Sequence, residues 1–160
     1  MNNLNHIAFI MDGNGRWGKK RNKGRNYGHH QGVQTVKKIV ESSIKLKIPI
    51  VSFYVFSTEN WKRPKTEIKF LFNLIKSYFE KEIANIIKNK IKIKILGDTK
   101  KLPTNVKKVL NETVYKTKKN KKLTVNLALN YGSKDELIYS FSKILKKKQS
   151  INEKNIATNL

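Results

Sequence analysis

Four short apolar runs are separated by three longer segments with helical periodicity: HIAFIM from His6, IVSFYVF from Ile50, IKIKIL from Ile91 and LTVNLALNY from Leu123. That alternation constrains the chain most, because successive strand, helix and strand units pack as a parallel sheet covered by its crossover helices. The run from Ile50 to Phe56 follows Pro49 and is nearly continuous in apolar residues, as a strand covered on both faces requires. The spacing predicts a helix from about His29 to Lys47, with Val33, Val36, Val40 and Ile44 on one face. A second, from Glu67 to about Lys88, carries Leu71, Ile75, Tyr78, Phe79, Ile83 and Ile86, widened by Ile68 and Phe72. Pro103 opens a third helix to about Lys118, and a last one runs from Lys134 to Lys147. Residues 1–160 therefore read as a single α/β domain with a central parallel sheet flanked by helices, without internal repeat or linker.

The loop after the first run contains Gly13-Asn14-Gly15-Arg16-Trp17-Gly18, which fits the dinucleotide fingerprint G-x-G-x-x-G. A dinucleotide site needs a helix that starts inside the motif and an acid about 20 residues on. Here KKRNKGRNYG follows Gly18 without an apolar face, and the first acid near the end of a second strand is Glu59, so no dinucleotide site is expected. Glycines after a buried strand still leave backbone N–H groups free for an anion, and Arg16, Lys19, Lys20, Arg21 and Arg25 surround them with positive charge. Asp12 would repel a phosphate there unless a cation such as magnesium joined the two. A second cluster, STENWKRP from Ser57 to Pro64, follows the next strand, and in a parallel sheet two such loops can face one crevice. Asn60 and Glu59 there suit a turn or a helix cap, and beside a phosphate loop they suit proton removal and substrate positioning.

The net charge of +24 raises the possibility of a nucleic-acid partner. Composition argues against a specific one. Of 35 basic residues only Arg16, Arg21, Arg25 and Arg63 are arginine, and the lysines accompany abundant Asn and Ile, the residues of A- and T-rich codons. Arginine kept at four places in a lysine-writing chain marks positions where a planar, bidentate donor matters. The absence of cysteine excludes disulfides, thiolate metal sites and a cysteine nucleophile. MNNLNHIAFIMDG lacks a basic leader, and no apolar stretch approaches the roughly 20 residues of a membrane span, so a cytoplasmic protein with at most peripheral membrane contact is expected.

Five motifs in order, MDGNGRW, Gly-Arg-Asn-Tyr-Gly-His within KGRNYGHH, YVFSTENWKRP, ILGDTKKLP and LTVNLALNYGSKDEL, resemble the cis-prenyltransferases, in particular the bacterial undecaprenyl diphosphate synthases. The resemblance runs from about His6 to about Leu145. It implies a magnesium-dependent enzyme that condenses isopentenyl diphosphate onto an allylic diphosphate such as farnesyl diphosphate, giving a polyprenyl diphosphate carrier, and a homodimer in the full-length family. It also implies roles. Asp12 would be the magnesium ligand and an essential catalytic residue; Gly13, Asn14, Gly15 and Arg16 would cradle the allylic diphosphate, with Arg25 and His29 closing on it and Trp17 beside it. Ser57, Thr58 and Glu59 would line the substrate site, Asn60 would accept a proton, and Trp61 and Arg63 would hold the substrates. An apolar tunnel is implied for the product, for which Phe72, Ile75, Phe79 and Ile83 offer one wall or plain core. His6 and His30 are expected at a strand edge and on the surface.

Two departures accompany the resemblance. Ser133 and Lys134 stand where the family usually carries Gly and Arg. The sequence also stops at ATNL, approaching a further strand, whereas the family continues with strands that carry an arginine pair and a serine for isopentenyl diphosphate, a magnesium glutamate and much of the dimer surface. The expectation is a complete allylic half-site without its isopentenyl half, in a fragment of a longer protein, the product of a degraded gene, or a subunit completed by another chain.

Overall fold

Strands β1 (His6–Ile10), β2 (Ile50–Ser57), β3 (Ile91–Leu96) and β4 (Leu123–Tyr131) form one sheet in the order β1-β2-β4-β3 in the computed structural model, which describes residues 4–160. Part of the expected leaderless N-terminus, Met1 to Asn3, lies outside the described residues. All three pairings are parallel, with His6 opposite Ile50, Ile50 opposite Thr124 and Leu123 opposite Ile91. The strands therefore start level and deliver their following loops to one edge. β2 and β4 slip register between Tyr54, Phe56 and Ser57, just where β2 enters its loop.

Helices α1 (Asn14–Lys19) and α2 (Gly24–Lys45) join β1 to β2, α3 (Lys65–Lys88) joins β2 to β3, and α4 (Thr104–Thr117) joins β3 to β4. α5 (Ser133–Lys146) and α6 (Glu153–Asn159) follow. The core consists of Val51, Phe53, Phe56, Ile91, Ile93, Leu123, Val125, Leu127 and Leu129 from the sheet, Ile68, Phe72, Phe79 and Ile86 from α3, Val106 and Leu110 from α4, and Ile48 and Leu102 from connecting turns. α2 contributes differently. Its buried residues are Gly28, His29, Gly32 and Ser43, while Val33, Val36, Val40 and Ile44 are only half-buried. The predicted apolar face exists but does not close fully on the core.

Three expectations need correction. A helix does begin inside the glycine motif, and α2 starts at Gly24 rather than near His29. α1 is held by close backbone approach of glycines, so it has no apolar period to detect. At the other end the chain turns into α6 where the approach to a strand was expected. Asn152 caps it by accepting the Asn155 N–H at 2.9 Å, and Asn159, fully buried, ties it to Lys147. Among the described residues no helix is long and apolar enough to cross a membrane.

Candidate functional site

Asp12 leaves the carboxyl end of β1 exposed to solvent. Its Oδ1 accepts the Gly13 N–H at 2.6 Å and its Oδ2 accepts Arg16 Nη2 at 3.0 Å. Gly13 sits at φ 82°, the left-handed region in which a side chain is strained, and this turn starts α1. No side chain caps α1, so the N–H groups of Asn14, Gly15 and Arg16 open its first turn.

α1 then lies directly on α2. A Cβ on Gly28 would run into the Asn14 carbonyl oxygen, and one on Gly18 would meet the Gly24 carbonyl and, at 2.9 Å, the Gly28 nitrogen. Between the helices the chain reverses through Asn22 at φ 56° and Gly24 at φ 73°. The same packing seats Arg25 on the motif, because its guanidinium carbon lies 3.0 Å from where a Gly15 Cβ would stand. Trp17 faces outward. It stacks on Tyr27 with centroids 5.9 Å apart, and Arg21 covers its ring at 3.9 Å.

Glu67, in the first turn of α3, joins this loop to the second one. Arg25 binds it through Nε at 2.9 Å and Nη2 at 3.0 Å, His29 Nε2 lies 3.0 Å from Oε1, and Arg63 Nη1 reaches Oε1 at 3.3 Å. The Glu67 side chain is only 8% exposed. Burial pushes its carboxyl up, but the bonds from Arg25 and His29 and the charges of Arg25 and Arg63 outweigh that and hold it below the usual carboxylate range. Burial is the leading influence on His29 and lowers its pKa from 6.5, against the opposing pull of Glu67. A carboxylate only accepts, so neutral His29 carries its proton on Nε2.

The sign of the resulting pH dependence follows. Below 6.5 the unfolded chain takes up a proton on His29 that the folded chain refuses, so stability falls as pH drops through that value. Glu67 adds a further loss at more acidic pH, once protons begin to displace its partners. Urea midpoints measured across this range are expected to fall on acidification from about pH 6.5. His29→Gln should flatten the first part of that fall; an unchanged profile would contradict the assignment.

In the second loop, Ser57 and Asn60 form a capping box around a single 3-10 turn, Thr58–Lys62. Asn60 Oδ1 accepts the Ser57 N–H at 3.2 Å, so the turn role foreseen for this residue is present. Glu59 points to solvent, held below the usual carboxylate range by its own backbone N–H and the Ser57 hydroxyl. Thr58 abuts Gly132 at the end of β4. Trp61 packs edge-on against Phe56 and gives its indole N–H to Asn130 Oδ1 at 2.7 Å, while Asn130 Nδ2 reaches the Asp98 carbonyl after β3. The second loop is thereby tied to the ends of β3 and β4.

The fold accordingly brings Asp12, Gly13, Asn14, Gly15, Arg16, Arg25, His29 and Arg63 into one linked cluster, with Ser57 to Trp61 at the next strand end. Sequence reasoning missed Glu67, Gly28, Gly32 and Asn130. The R-x-x-G-H spacing of Arg25, Gly28 and His29 was a usable sign for Gly28, since it puts all three on one side of a helix. The local sign for Glu67 is Arg63 four residues before it, an opposite charge at ion-pair spacing. Of the four residues offered as tunnel wall or plain core, Phe72 and Phe79 are core residues, and Phe79 and Ile83 also line a cavity of about 490 Å³ between α3 and α4. Another cavity, of about 400 Å³, lies between α2 and α3, lined by Val40, Ile44, Tyr78, Ile86 and Ile91 together with polar side chains such as Glu41 and Asn85. Lys37 and Glu82 form an ion pair of 3.0 Å at its edge.

A family model described as "Putative undecaprenyl diphosphate synthase" matches residues 10–160. The chain belongs to this family. It is 46% identical over 146 residues to the isoprenyl transferase of Leptospira interrogans, covering 91% of this chain and 61% of that protein. It is 40% identical over 144 residues to the isoprenyl transferase of Bacillus cereus, covering 90% and 56%. The fold matches a probable undecaprenyl diphosphate synthase of Campylobacter jejuni with TM-score 0.81 and 36% identity, over 100% of this chain and 70% of that one. Lavandulyl diphosphate synthase of Lavandula x intermedia, solved with dimethylallyl diphosphate, shares the fold at TM-score 0.89 and 23% identity over 98% and 70% of the chains. This member of the undecaprenyl diphosphate synthase family spans little more than half the length of the curated relatives it matches.

Proposed function

We propose that this chain serves a cis-prenyl transfer in which isopentenyl diphosphate is added repeatedly to an allylic diphosphate, farnesyl diphosphate being the expected starter. The observation that carries this is the seating of Arg25 on Gly15 while Glu67 ties the same guanidinium to His29 and Arg63. Arg25 thereby meets the uncapped first turn of α1, with Arg63 joined to it through Glu67, and a cavity with apolar and charged lining opens further along α2. In volume the cavity falls within the roughly 300–1,000 Å³ of ordinary ligand pockets. It begins near Lys37, about 18 Å along α2 from Arg25.

The chemistry follows from these groups. When the allylic carbon–oxygen bond breaks, negative charge grows on the departing diphosphate, and Arg16, Arg25 and the N–H groups of Asn14 and Gly15 stabilise it. The isopentenyl double bond attacks the allylic carbon, forming the new carbon–carbon bond as the carbon–oxygen bond breaks, and the resulting cation gives up a proton to an oxygen of the departing diphosphate. A neutral amide is a feeble base, and the Asn60 oxygen already serves Ser57, so Asn60 contributes by fixing the turn that faces this step. Asp12 offers one exposed carboxylate, and among the described residues no group of three or more His, Asp or Glu surrounds it. Such a donor set fits magnesium, which takes one or two carboxylates and fills its shell with water and substrate oxygens. When bound, the ion would supply positive charge to the diphosphate. We assign the reaction to the cytoplasm, with at most peripheral membrane contact, and to a homodimer supplying a polyprenyl carrier for cell-wall precursors.

The test is incorporation of radiolabelled isopentenyl diphosphate into butanol-extractable product with farnesyl diphosphate and magnesium. Product that lengthens with time is expected. Farnesyl diphosphate binding without incorporation would instead make the chain an accessory subunit.

A further inference from the structure

We infer that Glu67 is the positioning residue that makes one anion-binding unit of Arg25, His29 and Arg63; this rests on the diphosphate site proposed above. Arg25 belongs to α2, Arg63 to the loop after β2, and each brings a full positive charge. Two guanidinium groups converging on one site repel each other, so they separate unless something holds them. Glu67 does so. It binds Arg25 through the Nε–Nη2 edge and Arg63 through Nη1, leaving Arg25 Nη1 and Arg63 Nη2 and Nε as donors without a share in this carboxylate. One negative charge against two positive ones leaves the unit cationic, as an anion site must be. The third partner, His29, contributes a proton on Nε2 to the same Oε1 and is itself buried.

Glu67 could in principle be a mere occupant that an incoming diphosphate displaces. Its surroundings argue against that. The side chain is 8% exposed, the Arg25 bond is bidentate, and the carboxylate sits in the first turn of a 24-residue helix, whose dipole favours negative charge there. Expelling it would strip Arg25, His29 and Arg63 of their shared acceptor at once. Arg25 and Arg63 are more exposed, at 38% and 28%, and their unengaged edges can meet a ligand without breaking the clasp.

The experiment compares wild type with Glu67→Ala and Glu67→Gln. Dissociation constants for inorganic pyrophosphate and farnesyl diphosphate are read from tryptophan fluorescence, and the His29 titration is followed by NMR. Because both arginines can turn to water, Glu67→Ala is expected to fold, which circular dichroism checks. Its affinity for both probes should fall about tenfold or more, the worth of one charge-assisted hydrogen bond that the ligand no longer meets in good geometry. Gln, keeping one acceptor oxygen, should recover part of the loss, and the His29 midpoint should drop further in Glu67→Gln. Unchanged affinity in Glu67→Ala would reduce Glu67 to a fold support, and tighter binding would make it a competitor; either overturns the inference. If wild type binds neither probe, the proposed function falls, while an unmoved His29 titration in Glu67→Gln overturns the clasp on its own.

Discussion

Gly28→Ala is expected to lower affinity for farnesyl diphosphate about a hundredfold or more, with the sheet and α3 intact. A Cβ at Gly28 falls on the Asn14 carbonyl oxygen, a backbone atom inside α1 that cannot rotate away. Overpacking of this kind costs about 1–3 kcal/mol, and here the obvious relief is for α1 to lift from α2. Asn14, Gly15 and Arg16 would move with it, leaving Arg25 without its neighbour on Gly15. Gly32→Ala provides the control. Its Cβ would meet the Asn14 side-chain amide at 2.7 Å, the movable end of a side chain, so a much smaller loss is expected. Fluorescence titration measures the affinities and thermal melts the stability, which should drop by several degrees for Gly28→Ala, at about 2–4 °C per kcal/mol for this size. Wild-type affinity in Gly28→Ala would mean that the α1–α2 packing does not shape the site.

The contrast between α1 and α3 explains how much of this molecule could be read in advance. α3 announces itself through the spacing of Ile68, Phe72, Phe79 and Ile86, because burial against a sheet demands an apolar stripe. α1 buries only Gly15 and Gly18, so hydrophobic periodicity has nothing to register. The two chemical loops were legible for another reason: parallel strands put their following loops on one edge, which places Asp12 and Ser57 near each other before any side chain is positioned. Glu67 was hidden because two of its three partners lie 38 and 42 residues away, and a glutamate early in a helix, four residues after an arginine, is otherwise an ordinary choice. Core and cavity wall stayed undivided for a related reason: apolar spacing shows which side of α3 faces inward, whereas the space left beside it depends on how closely α2 and α4 approach.

Asp12→Ala is expected to reduce prenyl transfer about a thousandfold, on the scale of losing one principal electrostatic group at a site of developing charge. The same substitution should leave binding of pyrophosphate in the absence of magnesium unchanged or tighter, and this opposite sign is the informative part. In the free protein Asp12 repels phosphate and holds Arg16 in an ion pair at 3.0 Å. Both partners are well exposed, so the pair is cheaply broken, as surface ion pairs are worth at most about 1 kcal/mol. Removing the carboxylate lifts the repulsion and frees Arg16 for the anion. With magnesium present the order is expected to reverse: an ion held by Asp12 would supply positive charge to the diphosphate, so wild type should gain affinity for farnesyl diphosphate while Asp12→Ala gains little. Titrating each protein with farnesyl diphosphate in magnesium and in chelator gives four constants, and their double difference isolates the contribution that passes through Asp12. An equal response to magnesium in both proteins would remove Asp12 from the metal site and leave it as the residue that shapes the Gly13 turn.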